Sequence, residues 1–209
     1  MTKIDLKRML RSYQAREGIF DIIEMPPARY LMVDGSGDPN ISPAYKEALE
    51  ALYPFAYKLK FASKTELDRD YVVPPLEGLW WADDMASFTD SRDKSAWSWT
   101  LMLMVPDWIE EGMVEHARSK AAEPARGKVT PAKLGEVRFE ELAEGICVQT
   151  LHIGSFDNEG PVLAEMHERF IPEAGYRMSG RHHEIYLSDM RRVEPTKLRT
   201  ILRQPIDRV

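Results

Sequence analysis

Alternating apolar and polar positions predict extended segments along most of the chain. We expect strands at residues 19–24, 28–33, 70–82, 95–105, 144–153, 181–188 and 197–205. Met25-Pro26-Pro27 interrupts the first pair, which is therefore either two strands or one broken strand. In the segment 95–105 both alternating sets of side chains are bulky, so we expect an interior strand rather than an edge strand.

Helical spacing of apolar residues predicts helices between these strands. In residues 43–62 apolar side chains recur at i, i+3, i+4 and i+7, behind an N-cap at Asn40 or Ser42. Pro54 lies inside this helix and should kink it or split it in two. Further helices are expected at 108–122 and 161–174, and residues 3–16 form either a short helix or an irregular arm.

The order of elements repeats in the two halves of the sequence. A strand ending in Asp34-Gly35-Ser36-Gly37-Asp38 leads into a helix, a strand ending in Gly154-Ser155-Phe156-Asp157 does the same, and two strands follow each helix. We therefore predict an α+β fold built from a duplicated β-α-β-β module, with antiparallel sheets and a ligand groove between the two halves. The modules are expected at 19–122 and 136–207, joined by a linker at 123–135, within a single domain of residues 1–209.

Charge and cysteine content narrow the class of protein. The chain has 209 residues and a net charge of −6, so it has no overall positive field that would hold a nucleic acid. Its single cysteine, Cys147, cannot form an intramolecular disulfide, which favours a reducing cytoplasm. We expect its thiol to pack in the core and to be unreactive. No apolar run reaches the length of about 18 residues that indicates a membrane span. We expect a soluble, cytoplasmic protein that binds neither nucleic acid nor membrane.

The sequence predicts no metal site and no cofactor. His182 and His183 are adjacent in a predicted strand, so their side chains point to opposite faces and cannot both bind one ion. No His-Glu-x-x-His spacing, Walker loop or Rossmann fingerprint occurs in the chain.

The most unusual local sequence is residues 182–188. Alternation places Glu184, Tyr186 and Ser188 on one face of this strand, and His183, Ile185 and Leu187 on the other. If the second set packs into the core, the first looks into the groove. A carboxylate beside a phenol on a partly buried face can act as a general acid or base, or as a counter-charge for a cationic ligand. The alternative is a solvated glutamate on an exposed face.

Tryptophans form a second candidate constellation. Trp80 and Trp81 are neighbours in one strand, so one ring must face each side of it, and Trp97 and Trp99 lie on the next strand. Converging indoles would form a box that grips flat aromatic or cationic ligands. The alternative is an ordinary aromatic core.

Four motifs in order along the chain carry a resemblance to a known family. They are Tyr-Leu-Met-Val-Asp-Gly-Ser-Gly-Asp-Pro-Asn at 30–40, Pro-Leu-Glu-Gly-Leu-Trp-Trp at 75–81, Gln-Thr-Leu-His-Ile-Gly-Ser-Phe-Asp at 149–157 and His-His-Glu-Ile-Tyr-Leu-Ser-Asp at 182–189. Together they are similar to the GyrI-like small-molecule-binding family, over about residues 19–207. The family resembles the effector-binding domains of multidrug-responsive regulators, which implies the duplicated fold and a hydrophobic, often aromatic or cationic, ligand.

The resemblance also implies a chemistry. A stand-alone subfamily hydrolyses the strained cyclopropane of duocarmycin-type DNA alkylators with an aromatic cage. By this resemblance Glu184 is the pocket carboxylate and Tyr186 its phenol neighbour, both catalytic. The cage and ligand-binding candidates are Trp81, Trp99, Tyr45, Phe156, Trp80 and Trp97. Met190 departs from the proline that relatives often have after the aspartate, which alters a turn outside the groove.

Three functional hypotheses follow. The first is a cytoplasmic detoxifying hydrolase in which Glu184 activates a water and Tyr186 donates a hydrogen bond to the ligand. The second is a non-catalytic protein that sequesters or senses drugs, with Glu184 as counter-charge. The third, favoured only by the family name, is a partner-binding protein that acts like a gyrase inhibitor.

Overall fold

The computed structural model describes residues 3–83, 93–123 and 130–209. Most of the polar stretch 83–94 and the centre of the predicted linker 123–135 therefore lie outside the described residues. The linker's last part is described: Ala132–Glu136 forms a 3₁₀ turn.

Helices and antiparallel strands alternate, which confirms the predicted α+β fold. The strands are β1 (Asp21–Met25), β2 (Ala28–Ser36), β3 (Leu76–Trp81), β4 (Ser98–Val105), β5 (Arg138–Leu142), β6 (Gly145–Ile153), β7 (Tyr176–Met178), β8 (His182–Tyr186) and β9 (Arg199–Arg208). The α-helices are α1 (Leu6–Met9), α2 (Pro43–Glu66), α3 (Glu111–Ala122), α4 (Gly160–Ala164) and α5 (Ile171–Glu173). No helix in the described part of the chain is both long and apolar enough to cross a bilayer.

Backbone contacts divide the chain into two compact units that interleave along the sequence. The first unit comprises Met1–Met9, Ala28–Pro74 and Ala82–Leu142, and the second comprises Leu10–Pro27, Pro75–Trp81 and Ala143–Val209. The predicted modules follow the chain without interruption, whereas contacts assign β1 and β3 to the second unit and β5 to the first. The module boundaries at 19–122 and 136–207 stay a prediction.

In the first unit, β2 is the central strand between β4 and β5, and both pairings are antiparallel. Val33 lies opposite Leu101, and Leu31 lies opposite both Leu103 and Phe139. The sequence analysis missed β5, because the acidic residues at its exposed positions interrupt the alternation of polar and apolar residues that predicts a strand. The predicted strand 95–105 begins only at Ser98, since the three residues before Trp97 form a 3₁₀ turn.

Helix α2 packs its apolar side against β2. Ala48, Leu52, Phe55 and Leu59 are all fully buried, as the i, i+3, i+4 and i+7 spacing predicts. Pro54 does not split the helix, which runs unbroken from Pro43 to Glu66. Burial of the neighbouring turns offsets the one backbone hydrogen bond that a proline removes.

Helix α3 begins at Glu111, three residues later than expected from the sequence. Trp108 belongs instead to the turn before it, where its indole Nε1 donates to Ser63 Oγ across 3.0 Å. That hydrogen bond ties the turn to α2. The predicted strand 70–82 is also shorter, because β3 starts at Leu76 and Tyr71 makes only an isolated bridge with Ile4.

The second unit is a sheet in the order β1-β6-β9-β8-β3, with the short strand β7 paired to β9. All pairings among these strands are antiparallel. The core cluster consists of Val148, Met166, Ile171, Leu202 and Ile206. Strands β1 and β2 lie on either side of the double proline. Of the two alternatives that the sequence left open, two strands or one broken strand, the first is therefore correct.

A π-helical turn interrupts the helix predicted at 161–174. It spans Glu165–Phe170 and lies between α4 and α5. Met166, within this turn, is fully buried in the core cluster. Such turns are uncommon and are frequently found at functional sites.

Candidate functional site

Strand β8 separates its side chains into two sets, as alternation predicts. His183 and Ile185 are fully buried, whereas Glu184 and Tyr186 are only partly covered. The Glu184 side chain is 15% exposed. It is therefore neither sealed in the core nor free in solvent.

Glu184 and Tyr186 form a hydrogen-bonded chain with Trp80 of β3, whose side chain is buried. The Tyr186 hydroxyl donates to Glu184 Oε2 across 2.7 Å. The Trp80 indole Nε1 donates to the Tyr186 oxygen across 3.0 Å. The phenol thus has one donor and one acceptor contact in place, and both hold it next to the carboxylate.

Phe156 and Gly78 complete the surroundings of the phenol. The Phe156 ring meets the Tyr186 ring edge to face, with centroids 5.6 Å apart. Gly78 lies opposite Glu184 in the β3–β8 register. A Cβ atom at Gly78 would come within 2.9 Å of Trp80 Nε1 and 3.2 Å of the Tyr186 oxygen, so the lack of a side chain makes room for this hydrogen bond.

Trp81 is partly exposed, but a cation already lies over its ring. The Arg181 guanidinium carbon is 3.5 Å from the ring centroid, the geometry of a close cation–π contact. A flat ligand would therefore have to displace Arg181 before stacking on that face of Trp81.

The remaining ligand-binding candidates lie in the first unit. Trp99 is fully buried, donates from Nε1 to Gly37 O across 3.3 Å, and meets Tyr45 edge to face at 5.3 Å. A Cβ at Gly35 would come within 2.0 Å of the Trp99 ring, so the backbone closes over the indole. Trp97 is partly exposed, with the Lys94 ammonium 5.8 Å from its centroid. The ligand-contacting roles of these residues stay predictions.

His182 lies beside Glu184 and His167 lies beside His182, and the sequence analysis assigned neither histidine to the site. His182 Nε2 lies 3.6 Å from Glu184 Oε1, on the same face of β8. The His167 ring, from the π-helical turn, meets the His182 ring edge to face at 6.1 Å. Burial, together with the proximity of His182, lowers the pKa of His167 to about 4. The signal for His182 was present, because it shares the parity of Glu184 and Tyr186.

The opposite face of β8 carries a buried network of charged groups. His183 contacts two carboxylates: its Nε2 is 2.9 Å from Glu77 Oε2, and its Nδ1 is 2.9 Å from Glu144 Oε1. Arg203 Nη1 donates to Glu144 Oε2 across 3.0 Å. Because both ring nitrogens face carboxylate oxygens, the geometry is that of a doubly protonated imidazolium.

This network also ties the N-terminal segment to the sheet of the second unit. Tyr13 donates to Glu77 Oε1 across 2.5 Å, and Arg203 Nη2 donates to Ser12 O across 2.7 Å. Gln149 Nε2 donates to Gln14 O across 3.0 Å. The residues 12–14 thus cover the buried charges from one side.

The network shifts the titration of its members. Burial alone would raise the pKa of Glu144, but the attraction and hydrogen bonds of His183 and Arg203 lower it to about 2. Burial alone would lower the pKa of His183, but Glu144 and Glu77 outweigh both burial and Arg203 and raise it. The pair is therefore held in its charged form.

Cys147 behaves as the sequence suggested. It is fully buried in β6, and burial raises the pKa of its thiol to about 12. A thiol in this state is a poor nucleophile.

A carboxylate held by a phenol, with aromatic rings beside it, is an arrangement that can contact a small molecule. The model of the GyrI-like small molecule binding domain matches residues 20–207, so the chain belongs to this family. No curated protein matches the sequence.

Solved structures agree with this assignment. An uncharacterized conserved protein from Listeria innocua is 38% identical, with a TM-score of 0.86 over 98% of this chain and 100% of that one. A hydrolase from Listeria innocua is 37% identical, with a TM-score of 0.83 over 98% of this chain and 100% of that one. The C-terminal domain of EcmrR shares the fold at 11% identity, with a TM-score of 0.53 over 91% of this chain and 98% of that one.

Proposed function

We propose that this protein binds flat, hydrophobic xenobiotics against the aromatic side chains around Tyr186 and hydrolyses them, with a strained cyclopropane as the reacting group. The observation that carries the proposal is the hydrogen-bonded chain Trp80–Tyr186–Glu184 on the partly covered face of β8. These hydrogen bonds hold a carboxylate, a phenol and an indole next to one another, which supports a shared ligand site. We place this activity in the cytoplasm, where an alkylator must be met before it reaches DNA.

The proposed reaction adds water across a strained bond. Glu184 takes a proton from a water molecule, whose oxygen bonds to the cyclopropane methylene. The ring carbon–carbon bond breaks, and its electron pair moves into the conjugated carbonyl, which becomes a phenolate. That oxygen regains a proton, so the product is the substrate plus one water. Ring strain weakens the bond, so the protein mainly supplies positioning and proton transfer.

The hydrogen bond to Glu184 limits how Tyr186 can contact a ligand. Its hydroxyl hydrogen is donated to Glu184, so it can donate to a ligand carbonyl only if it turns away from the carboxylate. We therefore propose that ligand binding exchanges this bond: the carbonyl oxygen takes the phenol hydrogen, and Glu184 Oε2 becomes available to the water.

Support also comes from a solved structure, because a hydrolase from Listeria innocua is 37% identical over 98% of this chain. At this level of identity a shared class of reaction is a reasonable proposal, whereas the substrate class rests on the sequence motifs.

The test is turnover of a duocarmycin-type cyclopropane by wild-type and Glu184→Gln proteins, with the product identified by mass spectrometry. We expect the wild type to form the water adduct and the variant to lose about 10²–10⁴-fold in rate. The control is Glu194→Gln, since the Glu194 side chain is 71% exposed in the same unit. Equal rates for wild type and Glu184→Gln would remove the carboxylate from the mechanism.

A second function, non-catalytic binding of cationic drugs, is favoured by the charge of Glu184. Among the described residues its ion-pair neighbour is His182, at 3.6 Å, rather than a lysine or arginine. A carboxylate whose neighbour is a histidine rather than a lysine or arginine can serve as counter-charge for a ligand cation. Saturable quenching of tryptophan fluorescence without any new product would favour this function over hydrolysis.

A further inference from the structure

A groove lies between α2 and α3 on the surface of the first unit. It contains a cavity of about 220 Å³, whose lining includes the small side chains of Ala62, Thr65 and Ala117. A cavity of about 150 Å³ is enough to hold a benzene ring. The groove therefore has room for one aromatic side chain.

Phe61 stands at the edge of this cavity with its ring half exposed. The residue lines the cavity, yet 54% of it is open to solvent. The ammonium of Lys60 lies 4.9 Å from the ring centroid and covers only part of the ring. Packing the open part against another molecule would remove apolar surface from water. One exposed ring beside one cavity of matching size gives this surface both halves of a knob-and-hole contact.

Opposite charges lie on either side of this knob and hole. Lys58 is exposed and has no ion-pair partner among the described residues. Glu66 is 43% exposed, and its ion-pair neighbour is the imidazole of His116 at 3.6 Å rather than a lysine or arginine. The two residues are separated by 8 positions, about 12 Å along the helix, and Ala62 lies midway between them. A half-turn about an axis through Ala62 therefore exchanges the positions of the two charges.

We propose that this face of α2 and α3 binds a second copy of the chain in a symmetric dimer. A two-fold axis near Ala62 brings Lys58 of one protomer beside Glu66 of the other, and the reverse pair forms at the same time. The same axis places each Phe61 ring in the cavity of the other protomer. Such an interface requires a surface that is complementary to itself, and this one is so in both shape and charge.

The rings and the charges have different parts in this dimer. Exposed ion pairs contribute little to affinity, so burial of the two Phe61 rings supplies most of the attraction. The ion pairs set which residues face one another. The dimer involves residues of the first unit alone, so it does not depend on the proposed function.

The first test is sedimentation equilibrium of the full chain over a range of concentrations. We expect a reversible dimer with a Kd of about 1–100 μM, as for a small interface, and a monomer for Phe61→Glu. The control is Ile41→Glu, at an 80% exposed position in the turn before α2, which should dimerise like the wild type. A monomeric wild type, or a dimer that survives Phe61→Glu, would overturn the proposal. A monomer that binds an apolar dye through Phe61 would assign the groove to a small molecule instead.

The second test exchanges the two charges and keeps Phe61 in place. Lys58→Glu and Glu66→Lys each put like charges opposite one another, and we expect each to raise the Kd by about 10-fold. The double variant restores both ion pairs in reversed order, so its Kd should return close to that of the wild type. A double variant that dimerises no better than the single variants would overturn the proposed pairing.

Discussion

Tyr186 donates its hydroxyl hydrogen to Glu184, two residues earlier on β8, across 2.7 Å. The same oxygen accepts from Trp80 on β3, and the β3–β8 register that pairs Trp80 with His182 sets this geometry. Because neighbouring strands fix all three side chains, the site is part of the sheet rather than of a loop. Groups held by strands are positioned more accurately than groups on loops.

Removing the phenol hydroxyl should impair catalysis more than folding. In Tyr186→Phe, Glu184 loses a hydrogen-bond donor and Trp80 loses its acceptor. We expect kcat for cyclopropane opening to fall by about 10²-fold and the free energy of unfolding by only about 1 kcal/mol. Steady-state kinetics and urea unfolding would measure the two effects. Tyr57→Phe, at an exposed position on α2, is the matched control, and equal kcat values in the two variants would contradict the role of Tyr186.

A methyl group at Gly78 should disturb the site without disrupting either unit. In Gly78→Ala the new Cβ would lie 2.9 Å from Trp80 Nε1 and 3.2 Å from the Tyr186 oxygen, so the Trp80–Tyr186 hydrogen bond must lengthen. We expect a shifted tryptophan fluorescence spectrum and weaker ligand binding. Gly112→Ala on α3 is the control, because its Cβ would meet nothing within 4 Å. Wild-type binding by Gly78→Ala would argue against a ligand site at this hydrogen bond.

The buried charges behind β8 should matter for stability. Arg203 is 1% exposed and bonds to Glu144, Gln149 and Ser12. Arg203→Met leaves Glu144 without its guanidinium partner, and we expect a loss of about 3–5 kcal/mol in the free energy of unfolding. Urea titration measures it, with the exposed Arg192→Met as control. A loss below about 1 kcal/mol would mean that the network is replaceable by apolar packing.

Stability should fall as the pH falls below about 6.5. The pKa of His167 is lowered from 6.5 to about 4, so between these values the unfolded chain binds a proton that the folded chain does not. The unfolding free energy should drop by about 3 kcal/mol over that range. Glu144, with its pKa lowered from 4.5 to about 2, extends the loss to lower pH.

His183 acts in the opposite pH direction. Its pKa is raised, so its contribution is complete below 6.5 and disappears as the pH rises through its folded value. His183 therefore cannot offset the loss of stability between pH 6.5 and 4. Urea unfolding of His167→Phe at several pH values isolates the contribution of His167. In this variant the decline in unfolding free energy between pH 6.5 and 4 should be about 3 kcal/mol smaller than in wild type. An unchanged decline would assign it to other groups.

Sequence patterns predicted those elements whose signal is local. The alternation in β8 gave the correct faces for Glu184 and His183, and apolar spacing gave the buried side of α2. The strands β5 and β7 were missed, because a strand of five or three residues owes its existence to its partner strand rather than to its own pattern. The strand predicted at 70–82 was too long, because the pairing with β8 rather than the local pattern limits β3 to Leu76–Trp81.

The candidate site and the buried charged network on the opposite face of β8 were only partly predictable, because both are assembled from distant segments. Glu77, Glu144 and Arg203 meet around His183, yet nothing in their local sequences links them. The π-helical turn that carries His167 also leaves no clear periodic signal. Alternation shows that Trp80 and Trp81 face opposite sides of their strand but not which side each one faces. The hydrogen bond from Trp80 to Tyr186 depends on the register between β3 and β8.

The most direct measurement of the central claim is a crystal structure of the Glu184→Gln protein with a flat cyclopropane-containing alkylator bound. We predict density for the aromatic system beside Phe156, Tyr186 and Trp80, with the cyclopropane directed at position 184. Density for the compound at a different place on the protein, with the side chains around Tyr186 unchanged, would contradict the account.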